Sequence, residues 1–151
     1  MNATLRSLLA GFCDYVQAAD RDQIISTGNL LFDGVAFTVK SREQGQRREM
    51  LIYCDFGEAA PEEGDETCRR LLEANLLMYN GSSACVFSLT PDTGRVVLLS
   101  HLDMKGLSAG RLAANLGMLA ACALAWRDGS LDFNNPWRMG LPEAAVLRDR
   151  A

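Results

Sequence analysis

Five cysteines and one histidine carry most of the nucleophilic and metal-binding potential of this 151-residue chain. No two cysteines form a CxxC pair, whereas zinc sites are usually built from such close pairs. Most of the cysteines stand among apolar residues, as Cys54 does after Leu51-Ile-Tyr. That setting is typical of reduced thiols that serve as small buried side chains. The sequence therefore predicts no metal site.

A thiol-dependent enzyme is the catalytic alternative, with Cys54 or Cys85 as the nucleophile and His101 as the base. A base needs a positioned nucleophile and an orienting partner, and no nucleophile elbow or protease motif surrounds these cysteines. Neither GxxxxGK[ST] nor GxGxxG occurs, so no phosphate-binding loop is recognisable. We predict a protein that is not an enzyme and has no cofactor. A small α+β domain that senses or binds a ligand is the other alternative.

The composition is that of one soluble domain. Hydrophobic residues make up 48% and charged residues 23% of the chain, and the net charge is −4. An acidic balance argues against nucleic acid and anionic membranes as partners. No apolar run reaches the roughly 20 residues of a membrane span, and the first residues lack the pattern of a signal peptide. We expect a cytoplasmic protein.

Apolar periodicity predicts three helices. The first covers residues 2–19, where leucines and Phe12 recur at helical spacing. The second runs from Glu66 to Asn80 with Asp65 as its N-cap, and the third from Ala109 to Arg127 with Ser108 as its N-cap. The wide apolar stripe of the second helix predicts burial on more than one side.

Alternating apolar residues predict five strands. Asp33-Gly34 is a two-residue hairpin turn between residues 30–32 and 35–39. A polar turn at 41–49 precedes a third strand at 50–56, and Pro91-Asp-Thr-Gly94 joins strands at 84–89 and 95–101. The order αβββαββα predicts an α+β fold with helices packed on an antiparallel five-strand sheet. We place this domain in residues 1–128, followed by a tail at 129–151 that is surface-lying or partly disordered.

The elements offer more apolar faces than one small two-layer domain needs, which favours a homodimer with a further patch for a partner chain. The segment from Leu71 to Arg127 also carries a familiar pattern. It contains Leu71-Leu-Glu-Ala-Asn-Leu76, the Pro91–Gly94 hairpin and Ala125-Trp-Arg127. Over roughly residues 5–128 the chain resembles the CesT-like (Tir chaperone) family, the class I chaperones of type III secretion effectors.

The resemblance implies a non-enzymatic, cytoplasmic homodimer with a role in virulence. Such a chaperone binds a segment near the N-terminus of a secreted effector in extended form and keeps it soluble and secretion-competent. A contact with the secretion ATPase is left open. The resemblance places the dimer interface at Leu72, Leu76, Tyr79, Val97 and Leu99. It places effector binding at Leu5, Leu9, Phe12, Leu31, Phe37 and Val39.

Overall fold

The structure is a computed structural model that describes residues 1–59, 64–78 and 85–132. These residues form four helices and five strands, and the order of elements confirms the predicted α+β class. The helices are α1 (Ala3–Val16), α2 (Arg21–Thr27), α3 (Gly64–Met78) and α4 (Ala109–Arg127). The strands are β1 (Asn29–Phe32), β2 (Val35–Gln44), β3 (Arg47–Glu58), β4 (Val86–Leu89) and β5 (Arg95–Asp103).

All strand pairs are antiparallel, in the order β1-β2-β3-β5-β4. The Asp33-Gly34 turn has positive φ at both residues (50° and 78°), which is the geometry expected of a two-residue hairpin. The predicted polar turn at 41–49 is much too long, because the turn itself consists of Gly45-Gln46. β2 and β3 continue through it as a paired ladder as far as Gln44 and Arg47.

The core lies between one face of the sheet and the helices α1 and α4. Phe37, Ile52 and Leu98 face it from neighbouring strands, and each is at most 2% exposed. On that face the Phe56 ring contacts Phe87 edge-on, with centroids 5.1 Å apart, and Trp126 at 6.0 Å. Each large apolar side chain buried in this way contributes roughly 1.5–3 kcal/mol relative to exposure. The helices therefore cover only one side of the sheet.

A bulge in β3 is tied to the end of α4. The register with β5 shifts between Asp55 and Gly57, and Gly57 has a φ of 110°. The Arg127 guanidinium donates to the carbonyl oxygens of Phe56 (3.0 Å) and Asp55 (2.8 Å). This pair of hydrogen bonds fixes the last turn of α4 on the middle of the sheet.

α1 ends earlier than predicted, and a helix follows where only a polar stretch was expected. Gln17 adopts the left-handed conformation (φ 55°) and its N–H bonds to the Cys13 carbonyl, which ends α1. α2 has seven residues and buries Ile24, and Gly28 ends it at φ 74°. A helix with one buried side chain has no apolar period to detect.

α4 has the predicted bounds, and the Ser108 hydroxyl accepts the N–H of Arg111 at 3.1 Å as the predicted N-cap. Within the described residues α4 is also the one helix long and apolar enough to cross a membrane, by length and composition alone. Six of its side chains are buried in the fold. A core helix passes the same test, so this finding is weak evidence for a membrane span.

α3 begins two residues before the predicted start, and Met78 is its last described residue. The predicted strand that began at residue 84 is described from Val86. At the predicted tail, the N–H of Leu131 bonds to the Ala125 carbonyl at 3.1 Å, and Leu131 is 7% exposed. The start of the tail therefore packs on α4, and residues 133–151 lie outside the described residues.

Alanine substitutions at two glycines are expected to change the stability of the protein in opposite directions. Gly11 lies inside α1, and a Cβ there would meet no atom within 4 Å, so Gly11→Ala is expected to stabilise the protein by about 0.5–1 kcal/mol. At Gly28 a Cβ would lie 2.4 Å from the Val39 carbonyl oxygen, and φ is +74°. Gly28→Ala is therefore expected to lower the urea midpoint, whereas Gly11→Ala raises it. Equal shifts for the two variants would contradict the packing described here.

Candidate interaction surfaces

The apolar residues of α3 divide into a buried side and an exposed side. Leu71, Ala74 and Met78 pack inward and are at most 5% exposed. The side chains of Leu72, Leu76 and Leu77 are 69%, 77% and 58% exposed. Leu72 and Leu76 are one helical turn apart and therefore adjacent. We call Leu72, Leu76 and Leu77 the α3 leucine surface; isolated apolar residues are ordinary on a protein surface, but such a cluster indicates a contact site.

Asn75 attaches α3 to the edge of the sheet. Its Nδ2 donates to the Phe87 carbonyl oxygen at 3.1 Å, and its Oδ1 accepts the Phe87 N–H at 2.7 Å. β4 is an edge strand, so these are backbone positions that a sixth strand would otherwise use. The side chain thus satisfies the outer edge of β4 and holds α3 beside it.

The sheet face opposite the core carries a shallow apolar depression of about 510 Å³. Tyr53, Val97 and Leu99 are among its lining residues and are partly buried. Lys40 lies beside them, with its Nζ 5.6 Å from the centroid of the Tyr53 ring. We call this side of the sheet the open face. Its mixture of apolar side chains with a few charged ones, including Lys40 and Arg95, suits a polypeptide partner better than a small polar ligand.

Two ion pairs lie at opposite ends of the open face. Arg95 contacts Asp55 through two bonds, Nε to Oδ1 at 3.1 Å and Nη2 to Oδ2 at 2.7 Å. At the other end both Nε and Nη2 of Arg42 bond to Glu49 Oε2, and Glu49 is buried. The hydrogen bond from Arg42 lowers the pKa of the Glu49 carboxyl below its ordinary value. The Glu49 carboxylate is therefore charged at neutral pH, and the apolar residues of the open face lie between the two ion pairs.

The second edge of the sheet, β1, differs from the edge at β4. Within the described residues no strand pairs with the outer side of β1. Leu31 on this strand is 76% exposed. A depression of about 430 Å³ runs beside it and is lined by residues from α2, β1 and β2, including Gln23, Leu31 and Thr38. On this edge the Asn29 N–H bonds to the Thr27 hydroxyl at 3.1 Å, so the edge offers the exposed Leu31 side chain and the backbone groups beyond that N–H.

The comparison with known families decides the identity. The model of the Tir chaperone protein (CesT) family matches residues 27–127, from the last residue of α2 to the last residue of α4. The chain belongs to the CesT family. Comparisons with curated proteins and with solved structures give no match. The CesT match confirms the resemblance found in the sequence, although it begins after α1, and the label of class I type III secretion chaperone fits this family.

In this CesT-family chain, the residues predicted for the dimer interface occupy two surfaces. Leu72 and Leu76 form the α3 leucine surface, and Val97 and Leu99 lie on the open face. Tyr79 lies outside the described residues. α3 contacts β4, which pairs with residues 96–99 of β5, so the elements that carry the two surfaces lie at the same edge of the sheet. The dimer interface itself stays a prediction.

The residues predicted for effector binding are placed very differently from one another. Leu31 is exposed on β1. Five others are between 0% and 2% exposed and form the core: Leu5, Leu9, Phe12, Phe37 and Val39. This corrects the expectation that these five lie on a binding surface. The apolar stripe of α1 and the apolar face of β2 belong to one core cluster. The β2 residues that face away from this core are Ala36, Thr38 and Lys40.

The described structure offers no support for a thiol enzyme in this CesT-family chain. Cys54 faces the core, whereas His101 is paired with Leu51 on the open face, so the two side chains lie on opposite sides of the sheet. Burial raises the pKa of the Cys54 thiol and raises the pKa of Cys85 to about 11. Both thiols are therefore protonated at neutral pH, and a thiol is a poor nucleophile.

Sequence reasoning missed Asn75 as a positioning residue. The available signal was an amide in the middle of the apolar stripe of α3, at a position counted with the leucines around it. A polar residue in such a stripe must find a partner when it is buried. The partner of Asn75 is the edge of β4, which follows α3 in the sequence, so the pairing is a tertiary contact that the local pattern does not reveal.

Proposed function

We propose that this protein is a class I type III secretion chaperone that acts as a cytoplasmic homodimer. It binds a segment near the N-terminus of a secreted effector in extended form and keeps that segment soluble and secretion-competent without catalysing a reaction. The observation that carries the proposal is the CesT-family match over residues 27–127. The exposed surfaces described above offer the contacts that dimerisation and effector binding would use.

For the dimer, the α3 leucine surface is the central contact in this proposal. Burying an exposed leucine contributes roughly 1.5–3 kcal/mol, and a two-fold interface counts Leu72 and Leu76 twice. Association costs an estimated 4–15 kcal/mol or more, so four leucines alone only offset it. A stable dimer therefore needs the neighbouring part of the open face as well, where Val97 and Leu99 add apolar area.

For the effector, the β1 edge is the binding site in this proposal. A strand added at an exposed edge gains main-chain hydrogen bonds, which do not depend on sequence. Alternate side chains of the added segment would meet Leu31 and the depression beside β1. The β4 edge is less suitable because Asn75 already occupies the backbone groups of Phe87.

Co-purification with an effector segment tests the proposed function. The full chain is co-expressed with the N-terminal segments of secreted proteins from the same host, and each complex is sized by chromatography with light scattering. We expect one or more segments to form a stable complex with the dimer and to become protected from protease. Amide exchange should slow at β1 in that complex. A monomeric protein that protects no such segment would overturn the proposal.

A further inference from the structure

A basic depression lies at the end of the sheet where β3 begins. It has a volume of about 430 Å³ and joins the start of α1, the β2–β3 hairpin and the segment after β5. Arg47, Arg48 and Lys105 contribute three cations to its lining, and Asp103 contributes the one carboxylate among the lining residues. We call this site the basic depression.

The positive charge in the basic depression is only partly neutralised locally. The side chains of Arg47 and Lys105 are exposed and form no salt bridge with a carboxylate of the described residues. Arg48 donates to the Thr4 hydroxyl at 3.1 Å, and its Nε is 3.9 Å from Glu43. Asp103 is engaged by the backbone N–H of Lys105 at 2.9 Å. The depression therefore keeps a local positive surplus in a chain whose net charge is −4.

Glu58, the last residue of β3, does not neutralise this surplus within one molecule. Arg47 begins the same strand, which spans about 36 Å at roughly 3.3 Å per residue. Glu58 and Arg47 thus lie at opposite ends of the strand, well beyond the Debye length of about 10 Å at 0.1 M salt.

The basic depression is also remote from the surface proposed for the dimer. β4, which α3 contacts, pairs with residues 96–99 and stops short of Asp103. A second copy bound through the α3 leucine surface would therefore leave Arg47 and Lys105 accessible. This position favours a different molecule as the occupant.

We propose that the basic depression binds a carboxylate-rich segment of a partner protein, separately from the effector segment at β1. Guanidinium groups form paired hydrogen bonds with carboxylates, and three cations, two at the start of β3 and one after β5, suit several carboxylates spread along a chain. Nucleic acid fits less well, because the net charge of the chain is −4 and three cations offer few phosphate contacts. The site extends the proposed function by a second, electrostatic contact.

A pair of labelled peptides tests this inference on the full-length protein. One peptide carries six glutamates separated by serines, and the other carries glutamines at the same positions. Fluorescence anisotropy at low salt should show binding of the glutamate peptide alone. Arg47→Glu and Lys105→Glu should each weaken it about tenfold, as expected for the loss and reversal of a close charge. Arg21→Glu is the matched control, since Arg21 lies beyond the far end of α1, and it should change the affinity less than twofold.

Four results would overturn the inference. Equal binding of the glutamine peptide would show that the carboxylates are not recognised. An equal loss in Arg21→Glu would show that only overall charge matters. A monomeric mass for Arg47→Glu would assign the depression to a second copy of the chain. Displacement of the peptide by inorganic phosphate, at a concentration that sodium chloride of equal ionic strength cannot match, would reassign it to phosphate.

Discussion

Replacing both Leu72 and Leu76 by aspartate is expected to convert the protein from a dimer to a monomer. Both side chains are more than two thirds exposed in one chain, so the fold of the monomer tolerates the change. In a two-fold interface the double variant would place four carboxylates in an apolar contact. An unpaired charge buried in such a place costs several kcal/mol. The mass measured by light scattering should fall from about twice 16.5 kDa to 16.5 kDa.

Leu124→Asp is the matched control for the dimer prediction. Leu124 is 42% exposed, but it lies on α4, away from the α3 leucine surface. This variant should remain a dimer, and circular dichroism should show native helix content in both variants. If the Leu72/Leu76 variant stays dimeric at micromolar concentration, the interface lies elsewhere. If the control also dissociates, the loss of dimer is a general effect of added charge.

Phe12→Asp is expected to unfold the domain rather than to weaken effector binding selectively. Phe12 is 1% exposed, and its ring centroid is 5.8 Å from that of Phe32. Truncating a buried Phe costs about 3–5 kcal/mol, and a charge in the cavity adds to that cost. Small domains have a total stability of about 5–15 kcal/mol, so most of it is lost. Urea denaturation followed by circular dichroism should show little or no folded baseline.

Leu31→Asp is expected to affect effector binding without affecting the stability of the fold, in contrast to Phe12→Asp. Leu31 is 76% exposed on β1, so the substitution should change the free energy of unfolding, measured by urea denaturation, by less than about 0.5 kcal/mol. It should weaken capture of an effector segment, because a charge replaces the apolar contact beside the proposed edge. A stably folded Phe12→Asp variant would contradict the burial of the α1 stripe. Unchanged capture by Leu31→Asp would move the effector site away from β1.

The elements that sequence reasoning predicted well have local causes. The bounds of α4 follow from the Ser108 cap and a long apolar period, and Pro91–Gly94 is a turn by its own residue types. The length of the β2–β3 hairpin was predicted wrongly for a related reason. Residues 42–48 are exposed to solvent on both faces, so no alternation of apolar and polar residues marks them as strand.

The choice of face could not be made from one sequence. The apolar period of α1 states that one side is buried, but not whether the core or a partner covers it. In the structure α1 packs into the core through Leu5, Leu9 and Phe12. Leu72 and Leu76 of α3 are exposed to solvent. The same pattern of leucines thus has opposite outcomes, because the number of helices that fit on one face of a five-strand sheet is a tertiary property.

The hydrogen bonds of Asn75 have a consequence for the valency of the molecule. At Phe87 the β4 edge is already bonded to a side chain of the same polypeptide, so within the described residues β1 is the edge better suited to an added strand. If the proposed function holds, each chain would then accept one strand and the proposed dimer two. A strand bound at β1 would have a new edge on its far side, but a second copy could join there only through its own β1. Growth of the sheet would in this way be limited to discrete complexes.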